Sequence, residues 1–239
     1  MKKLYEKNEL LFALLWVALY CMVLAPIRGE LGDDSLWMLL ALLAMAVAMT
    51  AFILLGGLRE HYGLRGWSKH ARRCLYFLPM FALATGNLWG GARWNYPGAA
   101  QVFAALSMAM VGYVEEVLFR GFLFKALLKQ TRAGVAIVIS ALTFGIGHII
   151  NLLTGQASVD TLIQIVFAVS WGFMFTLAYY KGGSLWPCIA VHALIDVCAA
   201  FSPEVEAARW VHIGAVIVGA AVYGFYLSRQ ETAENHVAH

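Results

Sequence analysis

Apolar residues follow one another along this chain in long stretches instead of alternating with polar ones. Stretch 36–55 holds no charged residue, and comparable runs read as 9–25, 36–57, 74–90, 101–124, 133–153, 160–180, 183–201 and 210–228. Each approaches the ~20 residues that an α-helix needs to cross a bilayer's hydrocarbon core. A membrane barrel would instead show strands of about ten residues with alternating character. The pattern therefore predicts an all-α, polytopic transmembrane helical bundle of about eight spans with short loops and no separate soluble domain. Met1-Lys2-Lys3 followed by the run Leu10–Leu24 looks like a secretory signal, but no small-x-small cleavage site follows it, so an uncleaved first span is expected.

Composition strengthens this picture. Of 239 residues, 62% are hydrophobic and 13% charged, against about 25% charged in an ordinary soluble domain. Charge placement then sets an orientation. Lys2, Lys3, Lys7, Arg59, Arg65, Lys69, Arg72, Arg73, Lys125, Lys129, Arg132, Lys181 and Arg229 fall on one side of the predicted bundle, while Arg28, Arg93 and Arg209 fall on the other. Basic residues concentrate in cytoplasmic loops, so both termini are expected to be cytoplasmic. The basic residues form no extended face, which excludes a nucleic-acid partner. The loop Gly57–Arg73 reads as a solvated or headgroup-bound segment. Trp37, Trp67, Trp89, Trp94, Trp186 and Trp210 lie near predicted span ends, where they would serve as interfacial anchors. Cys21, Cys74, Cys188 and Cys198 form no CxxC pair and read as small buried hydrophobes.

A few polar positions break the apolar runs, and they carry the candidate chemistry. Ionisable groups within a membrane helix cost a few kcal/mol or more each and face the bundle interior or a cavity. In Val114-Glu115-Glu116-Val117-Leu118-Phe119-Arg120-Gly121, Glu116 and Arg120 share a helix face at the spacing of an ion pair. Glu115 points roughly 100° away from Glu116. Glu115 lies 17 residues before Arg132 and His148 lies 16 residues after it, which brings both to similar depth in the membrane. His192 and Asp196 sit one helical turn apart in the seventh run at a comparable level. Asn151 follows His148 by one turn. Gly112, Gly121, Gly145, Gly147, Gly182 and Gly183 accompany these positions, and small residues let membrane helices approach closely. Pro187 is expected to loosen the start of the seventh span.

Three motifs, Glu115-Glu116-x-x-x-Arg120, Phe144-x-x-x-His148 and His192-x-x-x-Asp196, resemble the signatures of the CPBP intramembrane proteases, the family of Rce1-like CAAX prenyl endopeptidases and bacteriocin-processing (Abi) proteins. The resemblance divides the single membrane domain into N-terminal transmembrane helices (1–99), a catalytic core (100–201), and a last transmembrane helix with a short polar tail (202–239). It implies a glutamate-dependent endopeptidase in which Glu115 is the general base on a water, assisted by His148. His192 and the residue at 196 would stabilise the oxyanion, and Glu116, Arg120, Phe144 and Asn151 would shape the site. The expected partners are membrane lipid and a membrane-anchored or lipidated protein or peptide. CAAX, leader-peptide and C-terminal sorting-anchor segments all qualify as substrates.

Position 196 departs from the better-known members, which carry Asn there. An ionised Asp cannot donate to an oxyanion, so Asp196 must be protonated, orient His192 or bind a metal. That leaves open a zinc enzyme with Glu115, His148, His192 and Asp196 as ligands. HExxH is absent, and chemistry without a cofactor ranks higher. Two other classes remain: an ion- or proton-coupled transporter using the same groups, for which paired repeats are lacking, and a scaffold or immunity protein that has lost activity.

Overall fold

Asn8 opens the first long helix by accepting a 2.9 Å hydrogen bond from the Leu11 amide through its side chain, satisfying one of the donors a helix start leaves unpaired. The computed structural model describes residues 2–152, 155–203 and 205–233; positions 234–239 of the polar tail and position 153 of the fifth predicted span lie outside the described residues. A short helix α1 (Lys2–Lys7) leads into α2 (Glu9–Leu31), and Ser35 caps α3 (Leu36–Leu55) in the same way as Asn8 caps α2. The long helices that follow are α5 (Ala99–Glu116), α7 (Ala133–Gly147), α8 (Ser158–Gly182) and α10 (Glu206–Ser228), with the shorter α9 (Trp186–Ala200) between the last two. α5 continues through a π-helical stretch, Val117–Leu123, into α6 (Phe124–Leu128), and α7 ends in a 3-10 turn, His148–Leu152.

Among the described residues six helices are long and apolar enough to cross a membrane, and α9 adds a shorter apolar one. The protein is an all-helical integral membrane protein. The expected third span is not one continuous helix. It is broken into a 3-10 segment Ala71–Phe77, α4 (Leu78–Ala84) and a second 3-10 turn Thr85–Leu88. Leu75, Tyr76 and Phe77 adopt φ of 51°, 53° and 62°, a left-handed conformation that costs L-residues energy. The carbonyls exposed by this break receive hydroxyl donors from α10: Tyr223 donates to Cys74 at 2.6 Å and Tyr226 to Arg73 at 3.0 Å. Such internal partners are what irregular backbone at membrane depth requires.

The basic loop after α3 is likewise not a freely solvated run. Arg59, Arg65, Lys69, Arg72 and Arg73 are exposed, but Tyr62, Leu64 and Ser68 are buried. Its backbone docks on the α8–α9 turn, where the Gly63 and Leu64 carbonyls accept from the Leu185 amide and the Trp186 indole. Pro187 does not loosen α9. It occupies the helix's first turn, where its missing donor is not needed. The six tryptophans near span ends are exposed, as anchors would be, whereas Trp16 and Trp171 are buried.

α5 and α9 form the most extensive helix pair. A β-carbon on Gly112 would come within 2.5 Å of the Ala193 amide nitrogen on α9, so only glycine permits this approach. α7 lies against α8 with Gly145 at the crossing, and α2 and α3 flank the α5 segment. The result brings Glu115, Glu116, His148 and His192 to one interior region.

Candidate active site

Glu115 and Glu116 end α5, and the turn between them directs the two carboxylates to different neighbours. Glu116 is fully buried, and its Oε1 accepts from Arg120 Nη1 and His192 Nδ1, both at 2.8 Å. Arg120, also fully buried, has its guanidinium carbon 4.1 Å from the Phe144 ring centroid and 5.0 Å from that of Phe175. Among the described residues Arg120 Nε and Nη2 have no hydrogen-bond partner, so the aromatic faces supply the remaining attraction to the cation. Arg120 and His192 thus engage Glu116 through Oε1, while its buried Oε2 has no hydrogen-bond partner among the described residues.

Glu115 faces elsewhere. Its Oε1 accepts from Tyr20 Oη on α2 at 2.5 Å, and its Oε2 lies 3.7 Å from His192 Nε2. That same ring nitrogen is 3.4 Å from Asp196 Oδ2. Both nitrogens of His192 therefore face carboxylate oxygens, the arrangement in which both act as donors. The ring is fixed from the side by Phe175, stacked at 5.3 Å, and by the edge contact with Phe144 at 5.6 Å.

His148 begins the 3-10 turn after α7, and its Nδ1 lies 3.2 Å from the Phe144 carbonyl. A carbonyl can only accept, which places the hydrogen on Nδ1 and leaves a lone pair on Nε2. Phe144 packs against His148 at 5.5 Å and so touches both histidines and Arg120. Asn151 donates to Gln164 at 2.8 Å.

One cavity joins several of these groups. Tyr20, Arg28, Glu115, Phe119, Phe144, His148 and Asn151 all line it. It offers about 60 Å³ to water centres, several times the ~10–15 Å³ that one water needs. His192 and Asp196 are not among its lining residues; they stand beside Glu115. The π-helical stretch begins directly after Glu116. Its widened turn presents the Phe119 carbonyl to Ser140, whose hydroxyl donates at 3.2 Å. Such π insertions recur at functional sites.

The structure therefore brings the expected residues of all three motifs together. No three His, Cys, Asp or Glu side chains among the described residues form a group able to hold a metal ion. The sequence placed a span at 9–25 but assigned no site residue to α2. Tyr20 sits 95 positions before its partner Glu115 and Arg28 lies two turns further along. A tyrosine in the middle of a predicted span, away from the interfacial positions aromatic residues favour, was the available signal.

Comparison with known proteins yields one family. Residues 97–198 match the model described as type II CAAX prenyl endopeptidase Rce1-like. No curated protein and no solved structure matches. The matched region holds Glu115, Glu116, Arg120, Phe144, His148, His192 and Asp196, and omits Tyr20 and Arg28. Its motif residues gather at the meeting of α5, α7 and α9 in an integral membrane bundle, and the region that holds them is similar to the Rce1-like type II CAAX prenyl endopeptidases.

Proposed function

We propose that this protein is a glutamate-dependent intramembrane endopeptidase that hydrolyses a peptide bond of a prenylated or otherwise membrane-anchored substrate. The observation that carries this reading is the division of labour between adjacent carboxylates. Glu116 is committed to Arg120 and His192, while Glu115 shares a water-sized cavity with His148.

A water held by Glu115 and the lone pair of His148 Nε2 is the nucleophile. Glu115 takes its proton as the hydroxide adds to the scissile carbonyl carbon, and the carbonyl electrons move onto oxygen. The N–H of His192 that faces Glu115 and Asp196 stabilises this oxyanion. Asp196 does not donate; its carboxylate, 3.4 Å from His192 Nε2, orients the ring and balances its charge. Collapse of the intermediate breaks the C–N bond, and the proton gained by Glu115 passes to the leaving amine. Neither an acyl-enzyme nor a metal is required. Tyr20 fixes the angle of Glu115. The charge distribution of the loops supports cytoplasmic termini, which would put the Arg28 end of α2 on the opposite side of the membrane.

The test is cleavage by purified protein of a quenched fluorescent peptide carrying S-farnesylcysteine followed by three apolar residues. Replacing Glu115→Gln is expected to lower kcat by roughly a thousandfold and His148→Ala by about a hundredfold, within the range for loss of a general base or its assistant. Exhaustive chelation should leave the rate unchanged. Full activity in Glu115→Gln would overturn the assignment.

A further inference from the structure

From the groove that α7, α8 and α10 leave on the lipid-facing surface of the bundle, we infer a binding site for an anionic phospholipid. Its acyl chain lies in the groove and its phosphate is held by Arg132 and Arg229. The inference is independent of the endopeptidase reading, since the groove shares no lining residue with the cavity beside Glu115.

Val138 and Leu142 of α7, Val169 and Phe173 of α8, and Ala220 and Ala221 of α10 line the groove, which offers about 340 Å³ to water centres. Among the described residues that line it, Ser170 alone has a polar side chain, and its hydroxyl donates to the Val166 carbonyl within α8. A peptide laid here would bury backbone amides without partners. A hydrocarbon chain has none to satisfy.

The groove is charged at one end only. α7 runs antiparallel to α8, with Ala141 against Gly172 and Gly145 against Val169. Nine residues back from Ala141, Arg132 therefore reaches the level of Lys181. α8 and α10 run in the same direction, and Lys181 donates to the Gln230 carbonyl, so Arg229 ends at that level too. Steps of three and four residues keep each arginine on the helix face that lines the groove: Arg132, Val135, Val138 and Leu142 on α7, then Ala221, Phe225 and Arg229 on α10. Both arginines are exposed, and among the described residues neither makes an ion pair. At the far end of α8 and α10, by contrast, Arg209 and Asp160 neutralise each other at 2.6 Å.

Depth fits the same ligand. Leu142 lies ten residues from Arg132 and Ala221 eight from Arg229, about 15 and 12 Å of rise. Half of a bilayer's ~30 Å hydrocarbon core is about 15 Å. A phosphate held at the two arginines thus sends its acyl chain along the full length of the groove, within one leaflet.

The experiment titrates the purified protein in detergent with phosphatidylglycerol or phosphatidylcholine of identical acyl chains, and native mass spectrometry counts the lipid bound. Phosphatidylglycerol should bind with roughly ten- to hundredfold higher affinity, as charge-assisted contacts to a phosphate and a net negative headgroup imply. Arg132→Gln combined with Arg229→Gln should bring the two lipids to equal affinity. Lys3→Gln combined with Lys7→Gln removes equal charge from α1 and should leave the preference intact. Ala221→Trp, which fills the groove, should weaken binding of phosphatidylglycerol; if that variant does not fold, the arginine pair decides. Equal affinity of the two lipids for the unmodified protein would overturn the site, as would a preference that survives loss of both arginines. Glycerol 3-phosphate binding as tightly as the lipid would show an anion site that does not use the groove, and would also overturn it. A dimer that Ala221→Trp dissociates while lipid binding persists would assign the groove to a second copy of the chain instead.

Discussion

The Tyr20 hydroxyl donates to Glu115 Oε1 at 2.5 Å, tying the N-terminal helix α2 to the first motif across 95 positions of sequence. Both residues are buried, at 8% exposure each, and both line the cavity. Tyr20 touches the proposed base and not the scissile bond, so its role is to position. Tyr20→Phe keeps the ring and removes only the donor. Its expected effect is a fall in kcat of about tenfold, in line with the loss of one hydrogen bond to a charged group, with KM nearly unchanged. Steady-state kinetics on the farnesylated peptide checks this. A change confined to KM, or none, would remove Tyr20 from the catalytic arrangement.

The Glu116–Arg120 pair leads to a different prediction, because both side chains are fully buried. Removing one member leaves a buried charge without its partner, which costs about 3–5 kcal/mol. Arg120→Met and Glu116→Gln should each lower the thermal midpoint in detergent markedly. The double variant should recover much of the loss, since a neutral pair is left in place of an uncompensated charge. Arg120→Lys should behave like a loss, because an ammonium lacks the planar face that lies between Phe144 and Phe175. Additive losses in the double variant would show that the two residues act independently.

These two relationships also mark what the sequence made legible. Glu116 and Arg120 are four positions apart, and helical periodicity alone puts them together. The same periodicity turns Glu115 away from Glu116, and matched depth along two antiparallel helices brings His148 to the same cavity as Glu115. Tyr20 and Arg28 obey no local rule that connects them to Glu115; only the packing of α2 beside the π-helical stretch does so. The break at Leu75–Phe77 was hidden for a related reason. Hydropathy counts side chains, whereas this break depends on backbone angles stabilised by Tyr223 and Tyr226 from α10, about 150 positions away. Asp196 lies 3.4 Å from His192 Nε2, as the four-residue spacing of the two along one helix predicts.

Gly112 provides a test of how the two halves of the site are held together. A β-carbon there would approach Ala193 N to 2.5 Å and Ala193 Cα to 2.8 Å, and these are backbone atoms that cannot turn aside. Gly112→Ala should push α9 away from α5 and move His192, on the residue before Ala193, relative to Glu115. Overpacking of this kind costs roughly 1–3 kcal/mol. The expected result is a lower thermal midpoint together with a larger fractional loss of cleavage than of stability. Gly134→Ala, at a position where a β-carbon meets nothing within 4 Å, serves as the neutral control.

His61 lies in the docked loop, outside the spans, and gives the fold an acid sensitivity. Burial, together with the nearby Lys125 and Lys129, pushes its imidazole from the ordinary 6.5 down to about 4. The folded protein therefore keeps His61 neutral over a range in which the unfolded chain protonates it. Stability from this group is fully present above pH 6.5 and is lost as pH falls towards 4. His61→Gln should flatten the decline in thermal midpoint between pH 6.5 and 4 while leaving the midpoint slope above pH 7 unchanged. An identical acid decline in both proteins would assign it to other groups.

Cys21 reports on access to the cavity. It is a lining residue and partly exposed, whereas Cys74, Cys188 and Cys198 are buried. An uncharged maleimide should react there first. The adduct would fill a cavity that offers only about 60 Å³ to water centres, blocking the substrate path without touching Glu115 or His148. Treatment is therefore expected to abolish cleavage in the unmodified protein and to spare Cys21→Ser. Prior addition of the farnesylated peptide should slow the labelling. A membrane-impermeant maleimide then reads orientation as well: with cytoplasmic termini, the α2 end that bears Arg28 is reached from the opposite side. Inhibition only when the reagent is on the cytoplasmic side would reverse the orientation drawn from the loop charges. Inhibition that persists in Cys21→Ser would mean that the thiol controlling activity lies elsewhere.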